Sequence, residues 1–198
     1  MTPPASQGPL SADDIAAARK GDGEALGRIF RRHSSQLVRY LRGLGVRHAD
    51  DIAGQVWLEV SKGIARFSGD DDGLRRWLFT IARRRMIDSY RRECSRPEEL
   101  FENPVLLATS PPADASLERL EWAEDILRQL PPQQAEVVLL RTVAGFSVDE
   151  VAAMIDKSPG AVRVLAHRGL ERVLELLAQQ HQTVLPRTSE TSPTPVTV

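Results

Sequence analysis

The sequence predicts an all-α protein built as two small helical domains joined by a flexible linker. Apolar residues recur at helical spacing through most of the chain, and no stretch shows the alternation that a half-buried strand requires. Apolar residues make up 41% of the 198 positions but aromatics only 5%, which suits cores filled by Leu, Val, Ile and Ala. The third observation is a break. Arg96 to Ala115 carries four prolines and separates two regions that are each long enough for a compact helical core.

The divisions follow from composition. Residues 1–9, rich in Pro, Ser and Gly, form a disordered lead, and residues 10–95 form the first domain. Residues 96–115 form the linker, 116–181 the second domain, and 182–198 a Pro/Thr/Ser tail too polar to order itself. One cysteine, Cys94, permits no internal disulfide and fits a reducing cytoplasm. No apolar run approaches the roughly 20 residues of a membrane span, and the first residues lack the basic-then-apolar order of a secretory signal.

In the first domain, Ser11 caps an opening helix that Gly21 ends. Leu26, Ile29, Phe30, His33, Leu37, Leu41 and Leu44 then mark one inward face, stopped at Gly45. A third helix begins near Ala49 and turns Ile52, Val56, Val60 and Ile64 inward. After "RFSGDDDG", a fourth runs from about Asp72 to Arg92 with Leu74, Trp77, Leu78 and Ile81 inward, and Asp72 is placed to cap it. In the second domain Leu117, Leu120, Ala123, Ile126 or Leu127, and Leu130 share a face. Pro132 opens the next helix, whose face is Val137, Leu140 and Ala144, and Gly145 ends it. Ser147 and Glu150 make a capping box, stapled by Phe146 and Val151.

Two stretches bear on chemistry. The helix from Ser147 is short. The chain turns at "DKS", and Ser158 and Pro159 open another helix. Two helices joined by so short a turn form a helix-turn-helix, whose second helix enters a DNA major groove. Val151, Ala152, Ile155, Val162, Leu165 and Leu170 face inward; Gly160, Arg163, Val164, His167 and Arg168 face outward. Arginines there contact phosphates or donate two hydrogen bonds to guanine. The second stretch, "LRRWLFTIARRRMIDSYRRE", holds Arg75, Arg76, Arg83, Arg84, Arg85, Arg91 and Arg92 with a single acid, Asp88, before Glu93. The net charge of −1 hides this local positive field, which a phosphate backbone would neutralise with release of counterions.

"HADDIAGQVWLEV" followed by "RWLFTIARRRMIDSYRR", and then "LPPQQAEVVLLRTVAGFSVDEVAAMIDKSPGAVRVLAHRGLERVLELL", resemble bacterial RNA polymerase sigma factors of the extracytoplasmic-function (ECF) type. The resemblance covers both domains and implies sigma region 2 in the first and region 4 in the second. It implies that the first domain docks on the clamp of the polymerase's largest subunit through Asp50, Asp51, Ile52, Gln55, Trp57 and Leu58, and that the flap also takes part. By the same resemblance the loop with Phe67, Ser68 and Gly69 holds a flipped-out base of the −10 element. Unstacking a base costs a few kcal/mol, so capture couples recognition to strand opening. Arg75, Arg76, Arg84, Arg85, Asp88, Arg91 and Arg92 would read and track the −10 region. Ser158, Gly160, Arg163, Val164, His167 and Arg168 would meet the −35 element. An anti-sigma factor that clamps both domains is also implied, as are promoter DNA as a partner and a cytoplasmic, nucleoid-associated location.

The sequence departs from the family at several points. Gly54 and Gln55 stand where Gln-Glu is frequent, Arg84 where Asn is frequent, and "Arg163-Val164-Leu165" keeps only the first basic residue of a common triplet. Asp156 replaces the usual turn glycine. No nucleophile–base–orienter set and no His or acidic spacing points to an enzyme, a cofactor or a metal site. The rival to a sigma factor is a transcription activator that uses the helix-turn-helix alone.

Overall fold

In the computed structural model the backbone is described over residues 12–94 and 115–184. The lead, most of the linker and the end of the tail, with Ser11 and its cap, lie outside the described residues, as does the side chain of Cys94. The described chain is helical, with no strand. The first domain comprises α1 (Ala12–Arg19), α2 (Gly23–Gly43), α3 (Ala49–Gly63), a 3-10 turn (Ile64–Arg66) and α4 (Asp71–Cys94). The second comprises α5 (Ala115–Arg128), α6 (Pro132–Thr142), α7 (Val148–Ile155) and α8 (Pro159–Val184), so α8 runs three residues into the stretch expected to be tail.

Local chemistry explains the boundaries. Gly21, at φ 90°, turns the chain out of α1 in a conformation that suits glycine. Asp22, which the apolar pattern does not mark, caps α2: its Oδ1 accepts from the Glu24 and Ala25 amides at 2.8 and 3.1 Å. Asp70, not Asp72, caps α4, accepting from the Gly73 amide at 2.8 Å; Asp72 instead pairs with Arg75. The capping box of α7 forms as expected, with the Ser147 amide donating to Glu150 at 2.8 Å and the Glu150 amide to Ser147 Oγ at 3.2 Å. Asp156 ends α7 at φ 54°, ψ 55°, the left-handed geometry that lets α8 start within three residues.

The expected inward faces of α3 and α4 are buried, except that Trp77 is only partly covered. Two expectations fail. Phe30 is 47% exposed and leans on Trp57, ring centroids 5.0 Å apart, because Ile29 and His33 already fill that arc of α2. Leu170 is also 47% exposed. The phase of α8 turns Gly169 inward instead, so close to α6 that a Cβ there would come within 2.6 Å of Val138.

The largest core does not respect the domain division. Leu37, Tyr40 and Leu41 of α2 and Phe79 of α4 pack with Val137, Leu139 and Leu140 of α6 and with Phe146. Phe79 meets Phe146 edge-on at 5.4 Å and 83°, the arrangement ring quadrupoles favour. From Ala135 to Leu140 every residue of α6 is buried, so this helix is covered on all sides: by α5, α7 and α8 of its own domain and by α2 of the other. Smaller clusters seat α1 on α2 and α5 on α8.

Gly54 lies exposed within α3 with nothing within 4 Å of where a Cβ would stand. Gly54→Ala is therefore expected to stabilise the first domain by about 1 kcal/mol through helix propensity alone. Chemical denaturation of the two proteins measures this directly, with an unchanged m-value expected.

Candidate nucleic-acid and polymerase interfaces

Three surfaces collect the residues singled out in the sequence. On α3, Asp50, Asp51, Gln55 and Leu58 are exposed, Leu58 by 56%, and Trp57 is partly so. Ile52 is set apart from them. It is 5% exposed, stacked one turn from Val56 in the core, and cannot meet a partner. Phe30 takes its place as an apolar neighbour of Trp57, a residue the α2 periodicity had assigned to the interior. Asp50 holds Arg42 at 2.9 Å, tying the acidic end of the patch to α2.

The second surface comprises α4 and the loop before it. Phe67 stacks on Trp77 at 5.3 Å and 18°, while Ser68 and Gly69 are exposed. Gly69 adopts φ 154°, and a Cβ there would strike the Phe67 ring at 2.9 Å. The loop is anchored from beneath. Asp71 accepts from Arg32 Nε at 3.2 Å and lies 3.1 Å from Nε2 of His33, itself 2% exposed. His33 was expected in the core and is there. Its Nδ1 is buried without a hydrogen-bond partner, and burial lowers its pKa against the opposing pull of Asp71.

The arginines of α4 are largely engaged. Arg84 and Arg85 both pair with Glu59 of α3, Arg85 at 2.6 Å. Burial pushes the Glu59 carboxyl up, but the two guanidiniums outweigh it and hold the group below its ordinary value. Arg75 pairs with Asp72 at 2.9 Å and lies over the Phe146 ring at 5.0 Å, a cation–π contact. Arg76 reaches Glu150 of α7 at 3.3 Å, and Arg83 reaches Glu136 of α6 at 2.7 Å. Asp88 is partly buried and its carbonyl accepts from Arg92 Nε at 3.1 Å; Arg91 and Arg92 are exposed. Glu59, Glu136 and Glu150 were not read as site residues, and no local pattern marks the first two. The box that defines Glu150 concerns its backbone role.

The third surface is the start of α8. Ser158 caps it, its Oγ accepting from the Ala161 amide at 3.2 Å. Gly160, Arg163, Val164, His167 and Arg168 are all exposed on one side, and His167 pairs with Glu171 at 3.2 Å. The inward residues Val151, Ala152, Ile155 and Val162 hold α7 and α8 together, which leaves that side of α8 facing away from its own domain. This is the geometry of a helix-turn-helix reader.

With these surfaces defined, similarity to known proteins decides the family. Residues 29–95 match Sigma-70 region 2, and residues 120–173 match Sigma-70, region 4. SigD, an ECF RNA polymerase sigma factor of Mycobacterium tuberculosis, is 30% identical over 172 residues, covering 80% of this chain and 80% of SigD. The chain belongs to the ECF RNA polymerase sigma factors. BldN of Streptomyces coelicolor, an ECF sigma factor, is 33% identical over 172 residues; the match takes in 82% of this sigma factor and 64% of BldN's length. In fold it also resembles the sigma factor RpoE of Bartonella quintana, solved in complex with the anti-sigma factor NepR, with a TM-score of 0.57 and 23% identity over 75% of this chain and 95% of that one. The region 2 match falls on the first helical domain, leaving out α1 and the start of α2, and the region 4 match falls on the second, in that order along the chain.

The neutral state of His33 ties stability to pH. Its folded pKa is lowered below the ordinary value, so the folded form binds the proton less readily than the unfolded chain. Its contribution is fully present above about pH 6.5 and is lost as pH falls below that value. His33→Gln, which keeps a donor for Asp71 but cannot titrate, is expected to flatten the fall in melting temperature between pH 7 and pH 5.5, as followed by circular dichroism.

Proposed function

We propose that this sigma factor binds core RNA polymerase and directs it to a subset of promoters, with the first domain engaging the −10 element and the second the −35 element. The observation that carries this reading is the pairing, within one chain, of an arginine-rich α4 behind the Phe67–Gly73 loop with the exposed face of α8. Asp50, Asp51, Gln55, Trp57 and Leu58, joined by Phe30, form the surface for the polymerase clamp. Phe67, Ser68 and Gly69 hold an extruded −10 base, with Arg75, Arg76, Arg84, Arg85, Asp88, Arg91 and Arg92 along the strand. Ser158, Gly160, Arg163, Val164, His167 and Arg168 meet the −35 groove. The protein acts by binding rather than turnover, in the cytoplasm; no described helix is long and apolar enough to cross a membrane. An anti-sigma factor holds it inactive, a reading supported by its fold likeness to a sigma factor solved with such a partner.

Run-off transcription from a random promoter library with purified core polymerase tests the proposal. Initiation at a defined promoter class that depends on this chain supports it. If transcripts arise only when another sigma factor is supplied, the chain is an activator instead. Within the −35 reader, Arg163→Ala is expected to weaken binding to a −35 duplex by about 1–3 kcal/mol if it contacts guanine. Competition binding measures the loss, and an unchanged sequence preference assigns Arg163 to the phosphate backbone.

A further inference from the structure

We propose that Val164 reads the C5 methyl group of a thymine in the −35 major groove, so that part of the promoter preference of this chain is apolar. This rests on the assignment of α8 to the −35 element and deepens it by naming the base feature that the helix seeks. Three observations carry it. First, the rotation of α8 is fixed from behind. Val162 is wholly buried, Leu165 and Ala166 pack against the same core, and Gly169 lies against Val138 of α6. Val164 falls on the opposite side and is 49% exposed. A single apolar residue on a surface is ordinary. What marks Val164 is its place near the middle of an arc whose other side chains, Arg163, His167 and Arg168, are polar and exposed.

Second, the space in front of Val164 is open. Gly160, Val164 and Arg168 form one row along α8, and a helical side chain covers the turn N-terminal to its own Cα. Val164 therefore leans over Gly160, where an added Cβ would meet nothing outside the helix backbone nearer than Ser158 Oγ at 3.9 Å. With no side chain at Gly160, the backbone of this turn can approach the floor of a groove closely. The first turns of a recognition helix are the ones that meet base edges. The Val164 side chain, stiff at χ1 in a helix, reaches those edges at little cost in entropy.

Third, the chemistry of the arc divides the work. His167 is turned to Glu171, 3.2 Å away and one turn further from the tip of α8. Arg163 and Arg168 have no carboxylate partner among the described residues, so both can donate to phosphate or guanine. The Val164 side chain can neither donate nor accept. Among the groups that base pairs present in the major groove, the thymine C5 methyl is the apolar one, and short aliphatic side chains recognise it by contact. Cytosine lacks that methyl, and 5-methylcytosine carries it.

The full-length chain, assembled with purified core polymerase, selects duplexes from a pool randomised over the upstream promoter region, and competition binding ranks single-position variants of the selected box. Each thymine is replaced in turn by deoxyuridine, which deletes the methyl and nothing else. The expected result is a thymine position where the replacement weakens binding about fourfold, the loss for one methyl-sized group no longer buried. At that position 5-methylcytosine should bind better than cytosine by a similar ratio. Val164→Ser, a change nearly neutral in helix propensity, should erase both ratios and leave the ranking at the other positions of the box unchanged. Each ratio compares two DNAs on one protein, so a general loss of affinity does not imitate it. A selected box without thymine, a box with no uracil-sensitive position, or the same sensitivity in Val164→Ser overturns the role of Val164. If the wild-type assembly selects no upstream box at all, the −35 assignment of α8 fails instead.

Discussion

The edge-on contact between Phe79 and Phe146 fixes the form of this molecule. Phe146 is the residue before the cap of α7, so it sets how the helix-turn-helix leaves α6; Phe79 stands midway along α4. Joining them makes the core of the first domain continuous with that of the second. Tyr40 is caught in the same junction, wholly buried beside Glu136, and burial first, then that carboxylate, holds its hydroxyl well above the ordinary phenol range. A neutral Tyr40 is what allows a carboxylate to sit nearby, and that carboxylate is also the partner of Arg83. The apolar seam and the ionic contacts around it are therefore one arrangement.

That arrangement resolves an apparent conflict in the composition. The chain carries 26 basic and 27 acidic residues, yet α4 alone concentrates seven arginines. Its positive field is answered at short range by Glu59 within the first domain and by Glu136 and Glu150 across the seam. The two kinds of answer differ in consequence. Glu59 sits on α3 and stays with α4 whatever the second domain does, so it orients Arg84 and Arg85 permanently. Glu136 and Glu150 belong to the second domain, so they tie Arg83 and Arg76 of α4 to it.

Much of this was legible in the sequence where the determinants are local. The capping box at Ser147 and Glu150, the proline starts of α6 and α8, the Asp156 turn and the exposed arc around Arg163 each depend on residues within a few positions of one another. The order of the two modules was equally plain. What was not legible depends on contacts between distant segments. The unbroken burial from Ala135 to Leu140 is the clearest case. Val138 packs on α5 and α8 of its own domain, but Leu139 meets Gly43 of α2, and only that second packing partner explains why it is apolar too. That run was the available signal, since a helix apolar on all sides is one buried on all sides. Phe30 erred because periodicity alone set its face, whereas Ile52, placed inward by the same kind of spacing, is buried as that spacing indicates and was set among docking residues only by the resemblance. Helical spacing assigns a face to within about one residue, and neighbours on other helices decide which member of the arc is covered.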